Sequence, residues 1–176
     1  ETARSDRSYQ YHSQALDRLQ IPIDQAAARF GRLEDTLNQR SPQADALVAP
    51  ELLTIMAGGQ GSGLRMNEAE IARIIGGRSI WESLKAAIQH WSTDPDAARS
   101  ITPDQDRQVR ALIEHMGKKL RGKQAALAAA REQLMRSEDP EDQRRIYASA
   151  QDALRRFDLA DGTSETGGGA GGGPTS

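Results

Sequence analysis

The chain has 176 residues and no cysteine, with 27% charged and only 4% aromatic residues, and its formal net charge is −2. Without cysteine it has neither a disulfide framework nor thiolate chemistry, and the near-neutral balance argues against unspecific attraction to nucleic acid or anionic membrane. No apolar run reaches the roughly 18 residues of a membrane span, no signal-peptide pattern opens the chain, and a first residue of Glu1 rather than Met leads us to expect a fragment of a longer protein.

Few aromatics and abundant Ala, Gln, Arg and Glu describe helices around a narrow core. The clearest periodicity lies in residues 6–40, where Tyr9, His12, Leu16, Leu19, Ile23, Ala26, Phe30, Leu33 and Leu37 alternate spacings of three and four. That 3.5-residue repeat is the seam of a helix that packs lengthwise on another. Leu16, Leu19, Ile23, Phe30, Leu33 and Leu37 are therefore candidate interface positions, meeting a partner helix or a second copy. Pro22 falls inside the seam and predicts a kinked or broken helix whose halves share one partner. Ser41-Pro42 is a start signal, a capping hydroxyl followed by a proline suited to the first turn. Pro50 then predicts two short pieces, 43–49 and 51–57, the second with Leu52, Leu53, Ile55 and Met56 as its apolar body.

The regular pattern breaks at residues 57–78, AGGQGSGLRMNEAEIARIIGGR. Gly58 and Gly63 have the spacing of a Walker loop, but Leu64-Arg65 follows where that chemistry needs Lys and then Ser or Thr. Glycines at 59, 61 and 63 miss the dinucleotide fingerprint, and the preceding segment reads as helix, not strand. Gly61-Ser62-Gly63 is not a nucleophile elbow. Gly58, Gly59, Gly61 and Gly63 thus read as a hinge or tight surface loop, with Gly76 and Gly77 as a second hinge. Between them, Asn67 caps a short helix whose Glu70 is placed to reach back to the cap amide, and Ile71, Ile74 and Ile75 form its buried side. Ser79 and Glu82 suggest another capping box before a helix with Trp81, Leu84, Ile88 and Trp91 on one stripe. Two short helices joined by a glycine turn make a helix–turn–helix in the geometric sense.

Thr102-Pro103-Asp104-Gln105 opens a long helix to Arg136, about 50 Å at 1.5 Å per residue, after an earlier start signal at Asp94-Pro95. Val109, Ile113, Met116, Leu120, Leu127, Ala130 and Leu134 mark its seam, interrupted by Lys123. Asp139-Pro140 opens the last helix, with Ile146, Ala150, Ala153, Leu154 and Phe157 inward and Asp161-Gly162 closing it. Residues 163–176, TSETGGGAGGGPTS, have the composition of a flexible linker.

A DNA-reading hairpin would use Arg78, Lys85, Gln89 and His90, although Glu82 lies among them. Lys118, Lys119, Arg121 and Lys123 would add an electrostatic stripe on the long helix. The wider chain lacks the strongly basic face such binding needs, so a buried hairpin with both tryptophans in the core is the preferred reading. His12, His90 and His115 are scattered and do not converge as metal ligands would. Asp139, Glu141 and Asp142 suit a helix N-terminus without further chemistry.

The stretch GSGLRMNEAEIARIIGGRS, residues 61–79, resembles segments of helical phage or prophage proteins, and the likeness continues loosely through residues 81–91 into the long helix. It implies a helical protein that is structural or associated with DNA delivery, and carries no catalytic residue across; the sequence leaves the compartment open between cytoplasm and virion. The expected architecture is all-α: an elongated antiparallel bundle or coiled coil built from a long helix in 1–41 and a helical hairpin in 94–161. A short-helix cap in 42–93 and a tail in 162–176 complete it. The expected function is a non-enzymatic structural or protein-interaction module, its partner another copy or another helical protein, with no cofactor, metal, small-molecule substrate or membrane. Nucleic-acid binding through Arg78, Lys85, Lys118, Lys119, Arg121 and Lys123 is the alternative.

Overall fold

The computed structural model describes residues 2–39, 41–56, 66–94, 96 and 101–159. Among them are six helices and no strand: α1 (Thr2–Asn38), α2 (Pro42–Met56), α3 (Glu68–Ile75), α4 (Arg78–Thr93), α5 (Pro103–Arg136) and α6 (Pro140–Leu159). The loop glycines Gly58, Gly59, Gly61 and Gly63 and the tail 162–176 lie outside the described residues.

Local chemistry sets most of the helix starts. Ser41 Oγ accepts from the Ala44 amide at 3.1 Å, capping α2 with Pro42 in its first turn. At α5 both halves of the capping box form: the Gln105 amide donates to Thr102 Oγ1 at 3.2 Å, and Gln105 Oε1 accepts from the Thr102 amide at 3.0 Å. Asp139 Oδ1 accepts from the Glu141 amide at 3.2 Å at the head of α6. Asp94 does two things: its amide closes α4 by donating to the His90 carbonyl at 2.9 Å, and its Oδ1 accepts from the Asp96 amide at 3.0 Å, as its start signal leads one to expect. One expected start differs. Ser79 lies inside α4, whose N-cap is Gly77 with no side-chain bond, because the glycine pair has already supplied the turn.

The prolines break nothing. α1 is one helix with Pro22 inside it, and α2 is one helix with Pro50 inside it. An internal proline costs roughly 3 kcal/mol. Burying one leucine or isoleucine side chain recovers about 1.5–3 kcal/mol, and Ile23, Ala26, Val48 and Leu52 around these prolines are all buried. Packing therefore outweighs the lost hydrogen bond.

α1 runs opposite to α5. Ser5 Oγ donates to the Glu138 carbonyl just past the end of α5, Arg131 meets Asp17 at 2.6 Å, and Arg110 donates to the Leu37 carbonyl at 3.5 Å. α6 returns along α5, from Gln143 Nε2 on the Ser137 carbonyl (2.9 Å) to Asp158 on Lys123 (2.5 Å), and it also touches α1. α2 packs on α1 and α4, and α3 packs on α4 and α5. One continuous apolar core runs from Leu16 through Leu52, Ile71, Ile88 and Leu112 to Ala150, so all six helices share it. The seam from Val109 to Leu134 is buried as the periodicity predicts, joined by Leu112 at 0% exposure.

Candidate functional site

Functional chemistry in a helical protein has to come from side chains the packing brings together, and the densest convergence lies between α3 and α5. Asn67 Oδ1 accepts from the Glu70 amide at 2.7 Å and so starts α3. The Glu70 side chain does not complete the expected capping box. Its carboxylate turns inward, 3% exposed, and accepts from Lys119 Nζ at 2.9 and 3.2 Å and from His115 Nε2 at 2.9 Å. His115 and Lys119 stand four residues apart, on one face of α5. A carboxylate taken out of water carries a large desolvation cost unless paired and hydrogen-bonded, and the two α5 side chains supply that pairing. The helical hairpin is thereby clamped to α5 by charge as well as by Ile71 and Ile75, which are buried beside Glu70.

The joint of that hairpin is Gly76-Gly77. Gly76 has φ 107° and Gly77 φ 145°, in the region where a side chain is strained. Both amides donate to the Ala72 carbonyl, at 3.0 and 2.7 Å, so the two hinge candidates that can be placed form a bonded tight turn. Beyond it Trp81, Leu84, Ile88 and Trp91 are all buried, which makes the second helix of the hairpin a core element.

The six interface candidates lie on the chain's own core. Leu16, Ile23, Phe30, Leu33 and Leu37 are buried, and Leu19 packs against the same cluster. No partner helix is needed to cover them, so the seam is not the open surface that its spacing suggested.

The six nucleic-acid candidates do not form one face. Lys119 and Lys123 are buried, in the clamps to Glu70 and Asp158. Lys118 is exposed and pairs with Glu114 at 3.0 Å, which holds that carboxyl below the usual range. Lys85 donates to Glu68 at 2.9 Å and lies 5.9 Å from the Trp81 ring. That bond and its charge hold Glu68 low and Lys85 high. Arg78 and Arg121 are exposed, on different helices.

Two further features escaped the sequence. Gly117 lies under the Phe30 ring, where an added methyl would sit 2.8 Å from Cζ, and Gly122 is pressed in the same way by Phe157. His12 is wedged between Tyr11 and Tyr147, at ring distances of 5.2 and 5.7 Å, with both ring nitrogens buried and unbonded. Burial without a partner lowers its pKa. An apolar cavity bounded by Leu37, Val48, Leu52, Ile88, Trp91 and Val109 holds about 20 Å³, close to the volume of one water. Among the described residues no group of three or more His, Asp or Glu side chains is placed to hold a metal ion, and no helix is long and apolar enough to cross a membrane.

Comparison with family models, with curated proteins and with solved structures found no match.

Proposed function

We propose that the chain is a non-enzymatic helical module for structural assembly or protein interaction: an antiparallel bundle of α1, α5 and α6, with α2, α3 and α4 as a cap at one end. What carries this reading is the use of the buried charges. Glu70, Lys119 and Lys123 are bonded across helix contacts, where they fix elements against one another. A general acid or base works at a pocket that admits substrate, and these groups sit in contacts between helices. The nucleic-acid reading loses its centre, because Lys119 and Lys123 would have to leave the core to reach a phosphate.

The test is the absolute mass of the full chain by light scattering over a wide concentration range. A mass that rises to a defined oligomer supports assembly. A monomer throughout overturns self-assembly and leaves interaction with a different protein. A salt-sensitive complex with duplex DNA in the same buffers would overturn the protein-module reading as a whole.

A further inference from the structure

α1 carries a second row at alternating spacings of three and four, on the side away from its core. Positions 4, 7, 11, 14, 18, 21, 25, 28 and 32 are all exposed. The row is straight on a helix and spans about 42 Å at 1.5 Å per residue. Arg4, Arg7, Arg18 and Arg32 supply four cations along it, and among the described residues no hydrogen bond or ion pair engages any of their guanidinium groups. Elsewhere the pattern is different. Arg107, Arg110, Lys118, Arg136, Arg145 and Arg155 on α5 and α6 each pair with a carboxylate three or four residues earlier in the same helix. Three and four residues before Arg7, Arg18 and Arg32 stand Arg4 and Ala3, Ala15 and Gln14, and Arg29 and Ala28, none of them acidic, and Asp35, three residues after Arg32, makes no bond to it.

Between the arginines stand Tyr11 and Ile21, 67% and 55% exposed. The Ile21 side chain offers nothing to a phosphate backbone, and both groups are what a helix lying in a 3–4 register packs against. The charges also discriminate between partners. Asp6 and Asp24, with Asp17 held by Arg131 between them, flank the row along one side of α1. They would repel a broad polyanion such as a duplex, whereas a single helix about 10 Å across can meet the row without covering them. A second copy of α1 would set arginine against arginine.

We infer that this outer face of α1 is a docking surface for an acidic α-helix of another protein, its carboxylates meeting Arg7, Arg18 and Arg32 and its apolar side chains meeting Tyr11 and Ile21. The inference rests on the interaction-module reading and names the partner's chemistry.

The probe is a fluorescein-labelled synthetic helical peptide with glutamates on one 3–4 row and leucines at the two steps facing Tyr11 and Ile21. Fluorescence anisotropy is followed with the full chain at low salt. Arg7→Glu/Arg18→Glu/Arg32→Glu is expected to weaken binding by about tenfold or more, and Tyr11→Ser/Ile21→Ser to weaken it as well. All these positions are exposed, and unchanged helical circular dichroism confirms that the variants fold. No peptide binding, equal binding by both variants, or equal binding of a scrambled peptide overturns the inference. So does a labelled DNA duplex that binds in the peptide's place and is indifferent to Tyr11→Ser/Ile21→Ser. A chain that oligomerises yet ignores the peptide loses this inference and keeps the module. A folded monomer that ignores the peptide loses this inference and self-assembly, and one that also forms a salt-sensitive complex with duplex DNA loses the module as well.

Discussion

Glu70 holds two side chains of α5, Lys119 and His115, through one carboxylate, and Lys119 meets it with a side chain only 5% exposed. Glu70→Gln takes that charge away and is expected to destabilise the chain by about 3 kcal/mol or more, read as a lower urea midpoint. Glu70→Leu/Lys119→Met should recover most of the loss, since replacing both members of a buried pair with apolar groups is often neutral. His12 gives a test by pH. Its two ring nitrogens are buried without a partner and its pKa lies below the ordinary value, so the unfolded chain binds the proton more tightly. The stability it contributes is complete above the unfolded value of about 6.5 and is lost as pH falls below that. Thermal unfolding should therefore show a falling midpoint on acidification that is shallower in His12→Phe.

At the scale of elements, the glycines of α1 and α5 separate propensity from packing. Gly31 has nothing within 4 Å of an added methyl, whereas at Gly117 that methyl meets the buried Phe30 ring. Gly31→Ala should stabilise by about 0.5–1 kcal/mol. Gly117→Ala should destabilise by about 1–2 kcal/mol, because overpacking exceeds the same helical gain. Thermal melts of the two variants should shift in opposite directions. Much at this scale was legible in the sequence. Thr102-Pro103 and Asp139-Pro140 announce α5 and α6 because their capping atoms are local, and the leucine seams mark the buried faces. Pro50 misled in predicting two pieces and Pro22 in allowing a break, since what holds α1 and α2 together across them is contact with other helices. Glu70 three residues after Asn67 fits a capping box as well as a buried clamp, and only tertiary packing decides between them. Lys118, Lys119, Arg121 and Lys123 look like one basic run. Yet Lys123 interrupts the apolar seam itself, and Lys119 falls on the same inward register as Leu112 and Met116, which helical spacing could have revealed.

For the whole molecule, the question is whether cap and long helices stand or fall together. Both tryptophans, Trp81 and Trp91, belong to α4, while circular dichroism reports every helix. One core shared by all six helices predicts coincident urea transitions by the two probes. Tryptophan emission that changes first would mean the hairpin detaches while α1, α5 and α6 remain folded, and it would identify the Glu70 clamp as the weaker boundary. The sequence could not settle this, because its seams show that helices pack but not which ones.

The register of α6 has a mechanical consequence. Its first turn lies where α5 ends and the start of α1 touches Glu138, but its last turn reaches only as far as Lys123, well short of the other end of α5. A pull between the first turn of α1 and the last turn of α6 therefore runs along the helix axes and slides α6 past its neighbours. In that geometry the Lys123–Asp158 bond, the Phe157–Gly122 contact and the Gln143–Ser137 bond share the force in parallel. Drawn sideways from Leu159, the same helix would instead peel, giving up those contacts one after another from Asp158 to Gln143. One set of bonds thus makes a stiff tie in tension and a zipper across it.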